Sequence, residues 1–67
     1  MKENLKKELE RKGISYKAVC ELLHITDRTL YNKISGQTAF TVDEAITIVR
    51  NLLPEYNLEY LFGSIAA

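Results

Sequence analysis

Apolar residues recur along this chain at the spacing of α-helices, in five separate stretches. The first stretch, residues 2–12, places Leu5 and Leu9 four positions apart among strong helix formers. Four further stretches run from about Tyr16 to Leu23, Asp27 to Ser35, Val42 to Leu53 and Leu58 to Phe62. No stretch shows a convincing strand pattern. The pattern therefore predicts an all-α, compact five-helix bundle.

Residues that begin helices stand at the borders of these stretches. Ser15 and Thr26 precede apolar-periodic runs, where a hydroxyl accepts a hydrogen bond from the first free backbone N–H groups. Thr41 and Glu44 have the spacing of a capping box, and Asn57 can cap the last helix. The residues expected to end helices are Gly13, Gly36, Pro54 and Gly63.

The second and third helices are separated only by a tight break at His24 and Ile25. Two helices joined by so short a turn form a helix-turn-helix, here about residues 15–36. The residues expected to face inward are Val19, Cys20, Leu23, Ile25, Leu30 and Ile34. Those expected on the outside of the third helix are Asp27, Arg28, Tyr31, Asn32 and Lys33. That outer face is the candidate reading surface.

The fourth helix is expected to be the central strut of the core. Its predicted apolar stripe consists of Val42, Ala45, Ile46, Val49, Leu52 and Leu53. Sixty-seven residues, 46% of them hydrophobic, suffice for one domain spanning residues 1–67, with residues 63–67 as a loose tail. We expect a cytoplasmic protein without a membrane partner, because the chain lacks a secretory-signal pattern and a long apolar run and has one cysteine.

Charge is balanced overall but not along the chain. The formal net charge is zero, which by itself argues against a nucleic-acid ligand. Residues 1–38, however, hold eight Lys and Arg against five Asp and Glu, whereas residues 39–67 hold one against four. The basic first half can face a phosphate backbone, with weaker non-specific attraction because the total is zero.

The order of these elements and the segment LYNKISG, continuing through FTVDEA at residues 40–45, resemble a known family. They are similar to the lambda-repressor-like DNA-binding domains of Cro and phage repressors, especially the small prophage-encoded members, over about residues 3–62. The resemblance implies a sequence-specific regulator of transcription that binds double-stranded DNA. Three positions depart from the family: Cys20 stands where alanine is usual, His24 where glycine is usual, and Lys33 where an apolar residue is frequent.

Long polar side chains near the start of a helix suit the major groove, where each base pair shows distinguishable donors and acceptors. Arg28 and Asn32 lie four positions apart on one face and could contact guanine and adenine. With the resemblance added, the expected base-contacting residues are Asp27, Arg28, Tyr31 and Asn32. The expected phosphate-contacting residues are Tyr16, Lys17, Thr26, Lys33, Gln37 and Thr38. Asp27 is either a selectivity element or a helix-terminus charge, and an ordinary exposed helix face is the plain alternative for the whole set.

Other functions have less support in the sequence. One histidine and one cysteine without metal-ligand spacing give no basis for an enzyme, a metal site or a cofactor. The alternative to a DNA-binding regulator is an antirepressor or antitoxin-like module that binds another protein. A weak homodimer is expected on a two-fold operator, through a C-terminal surface that comprises Leu58, Tyr60, Leu61, Phe62 and Ile65. Alternatively, Leu58, Leu61 and Phe62 simply close the core.

Overall fold

The computed structural model describes residues 3–63, which form five α-helices and no strand. The helices are α1 Glu3–Arg11, α2 Tyr16–Leu23, α3 Asp27–Ser35, α4 Val42–Leu52 and α5 Leu58–Phe62. The predicted all-α class is confirmed, and the helix bounds agree with the prediction to within one residue. None of these five helices is both long and apolar enough to cross a membrane. Apart from Gly63, the predicted tail lies outside the described residues.

The helices begin at the capping residues that the sequence indicates. The side chains of Ser15 and Thr26 each accept a hydrogen bond from the backbone N–H three residues ahead, at 3.2 Å in both cases. Thr41 and Glu44 form the reciprocal capping box, with bonds of 3.1 and 2.9 Å. Asn57 caps α5 by accepting from a backbone N–H at 2.7 Å. Local hydrogen bonds therefore set four of the five helix starts.

The connection between α2 and α3 turns at His24. Its backbone lies in the left-handed region, with φ 57° and ψ 46°, and it is the one non-glycine residue with positive φ among residues 3–63. The N–H of Ile25 then donates to the carbonyl of Cys20 at 3.0 Å, which closes the end of α2. The turn therefore has the backbone shape that glycine provides at no steric cost, although an L-residue occupies it.

The core draws apolar side chains from all five helices and from the segments before and after α4. Phe40, in that segment, meets Phe62 of α5 edge to face, with ring centroids 5.0 Å apart and planes at 74°. The buried apolar residues are Leu5, Leu9, Val19, Cys20, Leu30, Ile34, Phe40, Ala45, Ile48, Leu53, Leu61 and Phe62.

The prediction for α4 is wrong in part. Ala45 and Leu53 are buried as expected, but Val42 and Ile46 are 39% and 36% exposed. Ile48, which the predicted stripe omits, is fully buried. The stripe is narrower than expected because the packing of α4 against α2 and α5 leaves Val42 and Ile46 exposed.

The C-terminal helix closes the core, which is the alternative expected for Leu58, Leu61 and Phe62. Leu61 and Phe62 are only 2% and 1% exposed, and Leu58 is half-buried against the core. These three residues therefore offer little free surface to another chain. Ile65 lies outside the described residues.

Tyr60 is 39% exposed, but its hydroxyl is engaged within the molecule. It donates a hydrogen bond of 2.7 Å to a carboxylate oxygen of Glu8, which is itself buried on α1. The hydroxyls of Tyr56 and Tyr60 lower the pKa of Glu8 by donating to its charged form. The two tyrosine rings stack, with centroids 6.1 Å apart. These contacts join α5 to α1, which are the last and first helices of the chain.

Candidate nucleic-acid interface

One face of α3 is anchored in the core and the opposite face is open to solvent. Leu30 and Ile34 are 1% and 4% exposed. Arg28 is exposed, Tyr31 is 62% exposed, and Asn32 is half-buried beside them. The sequence prediction that these three side chains lie away from the core is confirmed for Arg28 and Tyr31, and in part for Asn32.

The base-contacting candidates are brought together by the structure. Asp27, Arg28, Tyr31 and Asn32 line one shallow surface depression together with Gln37 from the following loop. A guanidinium, a phenol and two amides at one place offer donors and acceptors of the kind that recognise base edges.

Backbone hydrogen bonds hold the loop after α3 against that helix. Gly36 ends α3 with φ 96°. The N–H groups of Gln37 and Thr38 then donate to the carbonyl of Asn32, at 2.9 and 3.2 Å. Both residues are exposed just after the end of α3.

Asp27 has a partner that sequence reasoning missed. One oxygen of its carboxylate accepts a hydrogen bond from the thiol of Cys20, with sulfur and oxygen 3.3 Å apart. Burial raises the pKa of the Cys20 thiol, and the bond to Asp27 raises it further, so the thiol stays protonated and able to donate. This bond links α2 to the first turn of α3 and orients Asp27. The seven-residue spacing alone gives no signal for it.

The prediction for Lys33 is wrong. Its side chain does not lie on the outer face of α3, because the residue is only 9% exposed. Its ammonium donates to the carbonyl of Ala39 at 3.1 Å and lies 2.9 Å from a carboxylate oxygen of Glu44. It also lies 5.8 Å from the centre of the Phe40 ring. Lys33 is therefore occupied inside the protein and is removed from the phosphate-contacting set.

The same carboxylate oxygen of Glu44 serves both Lys33 and the capping box, since it also accepts from the N–H of Thr41 at 2.9 Å. Burial by itself raises the pKa of Glu44, but the Thr41 N–H and the Lys33 ammonium outweigh burial and lower the pKa overall. The start of α4 and the end of α3 are thus joined through one charged group.

The remaining phosphate-contacting candidates differ in their exposure to solvent and in the hydrogen bonds they already make. Lys17 is exposed at the start of α2 and available to a phosphate. Tyr16 is half-buried and its ring packs against the core. Thr26 is exposed, but its hydroxyl both accepts from the Thr29 N–H and donates to the Thr29 hydroxyl, at 3.0 Å between the two oxygens.

The positive charge of the first half of the chain is partly neutralised within the protein. Lys12 lies 2.9 Å from a carboxylate oxygen of Glu55 and donates to the carbonyl of Leu52 at 2.9 Å. Together with the burial of Lys33, this pairing leaves less free positive charge than the sequence count indicates. Arg28 and Lys17 remain exposed and unpaired with any acid within residues 3–63.

Within residues 3–63, no group of three or more His, Cys, Asp or Glu side chains is placed to hold a metal ion. Comparison of the chain with protein-family models, curated proteins and solved structures finds no match.

Proposed function

We propose that this protein is a lambda-repressor-like helix-turn-helix regulator that binds double-stranded DNA and reads the major groove with α3. The observation that carries the proposal is the row of exposed Arg28, exposed Tyr31 and half-buried Asn32 on a helix whose other side is buried. An α-helix fits the major groove, and such side chains discriminate base pairs there. Lys17, Gln37 and Thr38 flank this row and supply backbone contacts, which position the helix without reading sequence.

The size of the molecule favours two copies on one operator. The described residues measure 24 × 24 × 19 Å, whereas one turn of DNA is about 34 Å long. One copy therefore covers about half of a site long enough to be specific. A phage or prophage repressor of the Cro type, acting as a dimer, is the form of regulator that we propose.

A second function is favoured by a specific observation. The most exposed aromatic side chain in residues 3–63 is Tyr31, and tyrosine is frequent at the centre of protein interfaces. Net charge zero and the internal pairing of Lys12 and Lys33 also suit a protein ligand better than a polyanion. An antirepressor or antitoxin-like module would use the same face to bind another regulator.

A gel-shift titration with duplex DNA from the promoter region next to the gene tests the proposal. Arg28→Ala or Asn32→Ala should cost about 1–3 kcal/mol and relax specificity at one base pair, because each removes a base-edge contact. Lys17→Ala should weaken all sequences alike and reduce the salt slope by about 1.

Lys6→Ala is the matched control, since Lys6 is exposed on α1 away from the row. If Arg28→Ala and Asn32→Ala bind every duplex as the parent does, α3 does not read the DNA. Capture of a regulator protein by the parent, lost in Tyr31→Ala, together with no DNA binding, would favour the second function.

A further inference from the structure

Asp27 lies on the border between two shallow depressions of the protein surface. On one side it lines the depression that also holds Arg28 and Tyr31. On the other side it lines a depression at the junction of α2 and α3, together with Cys20 and His24. Asp27 is exposed, whereas Cys20 is only 6% exposed. A buried group of α2 therefore meets an exposed acid at the start of α3.

The thiol of Cys20 restrains the direction of this carboxylate. The sulfur lies 3.3 Å from Oδ1 of Asp27 and donates to it. A hydrogen bond to an ionised acceptor is stronger than one between neutral groups. The bond occupies Oδ1 and leaves the second oxygen, Oδ2, to accept from a ligand.

The same bond keeps two neighbouring opposite charges apart. Asp27 and Arg28 are adjacent in the chain, yet they form no ion pair in the part of the chain that the structure describes. A carboxylate held toward α2 does not neutralise the guanidinium beside it. Both charges therefore remain available to a ligand of α3.

An exposed carboxylate makes a DNA-binding surface selective. Phosphates repel it, which lowers the affinity for every duplex unless a donor compensates. In the major groove cytosine presents its N4 amino group, whereas guanine and thymine present acceptors. The amino group of adenine lies between two acceptors, N7 of the same base and O4 of the paired thymine, and both repel a carboxylate. The carboxylate of Asp27 therefore suits cytosine best.

We propose that Cys20 is a positioning residue for DNA recognition, whose thiol directs Asp27 so that Oδ2 accepts a hydrogen bond from the N4 amino group of a cytosine. The proposal rests on the proposed function, in which α3 lies in the major groove, and adds the base that is selected at one position. A side chain fixed before binding loses less conformational entropy on binding, so the thiol strengthens the discrimination. Burial raises the pKa of the thiol and thereby keeps it in the protonated form that donates.

Selection by the full chain from duplexes with a randomised segment, followed by binding titrations, is the experiment. The parent should enrich a sequence with one cytosine whose replacement by any other base weakens binding about tenfold. Asp27→Ala should bind all four bases at that position about equally. It should also bind the three other duplexes more tightly than the parent does, because the repulsion from phosphates is gone. A mere helix-terminus charge would instead change the affinity for all four duplexes by one factor.

Variants of α2 test whether Cys20 acts through Asp27. Cys20→Ala should reduce the preference for cytosine about threefold, since the carboxylate must then be immobilised on binding. In the Asp27→Ala background the same change should leave base preference unaltered. Cys20→Ser keeps a donor of similar size and should retain most of the preference. Val19→Ala is the matched control: it removes buried volume from the same helix without touching Asp27, so it should lower the melting temperature and leave base preference unchanged.

The proposed function and the role of Cys20 fail in different ways. If the parent binds no duplex and enriches no sequence, both are overturned. If the parent enriches a sequence but Asp27→Ala keeps the same preference at every position, only the roles of Asp27 and Cys20 are overturned. The role of Cys20 is also overturned if Cys20→Ala keeps the full cytosine preference, if Cys20→Ser loses as much as Cys20→Ala, or if Val19→Ala loses it equally. Circular dichroism at the temperature of the titrations confirms that each variant is folded.

Discussion

Removal of the Lys33 ammonium should destabilise the fold strongly, although lysine is ordinarily a tolerant surface residue. Lys33→Met keeps the aliphatic part of the side chain and deletes the charge. It leaves the Ala39 carbonyl and the Glu44 carboxylate without their donor. Hydrogen bonds to charged groups contribute about 1.5–3 kcal/mol, and removing one partner of a buried pair costs about 3–5 kcal/mol.

The expected loss of stability in Lys33→Met lies below the value for a fully buried pair. The side chains of Lys33 and Glu44 are 11% and 21% exposed, so water can partly solvate the carboxylate that is left. We therefore expect a loss of about 2–3 kcal/mol in the free energy of unfolding. A chain of this length has roughly 3–10 kcal/mol in total, so its melting temperature should fall by roughly 10–20 °C.

A double-mutant cycle, measured by unfolding in urea, isolates the interaction energy between Lys33 and Glu44. Glu44→Gln is the partner change, because glutamine preserves the capping box while removing the charge. The loss in the double variant should be smaller than the sum of the single losses by about 1 kcal/mol. Lys17→Met, at an exposed position, is the control and should change stability by less than about 0.5 kcal/mol.

Acid titration gives an independent check. The pKa of Glu44 is lowered in the folded protein, so its contribution to stability is present above its ordinary pKa of 4.5 and is lost as pH falls through the folded value. In Lys33→Met this pKa should move up, and the stability lost between about pH 5 and pH 3 should shrink. A loss no larger than that of Lys17→Met would refute the argument that Lys33 is a buried structural charge.

Two further changes test the turn and the attachment of α5. His24→Gly should be neutral or stabilising by up to about 1 kcal/mol, because glycine relieves the left-handed strain but adds entropy to the unfolded chain. His24→Ala keeps the strained backbone and should not gain stability. A clear fall in melting temperature for the glycine variant alone would contradict the observed turn. Tyr60→Phe should raise the pKa of Glu8 toward its ordinary value and reduce the stability that is present above pH 4.5 and lost on acidification. The effect is measured as the fall in melting temperature between neutral and acid pH, in the variant and in the parent. If that fall is the same in both proteins, the Tyr60 hydroxyl does not lower the pKa of Glu8.

The bounds of the helices were predictable because short-range interactions determine them. Ser15, Thr26 and Asn57 bond backbone groups two or three residues ahead, and the Thr41–Glu44 box is equally local. Such bonds follow from residue types at fixed spacing and need no knowledge of the fold. The outward direction of Arg28 and Tyr31 was predictable for the same reason, since Leu30 and Ile34 identify the buried side of their helix.

Contacts between helices distant in sequence were decided by the tertiary structure alone. Glu8 and Tyr60 are 52 positions apart, and no local pattern indicates that a carboxylate on α1 finds its donor on α5. Lys33 resembles a surface cation in sequence, but Ala39 of the loop and Glu44 in the first turn of α4 bind its ammonium and remove it from solvent. Periodicity likewise cannot choose between the two apolar edges of α4. The packing of α2 and α5 buries Ile48 and leaves Ile46 exposed, because a helix covered on one side can bury only one edge.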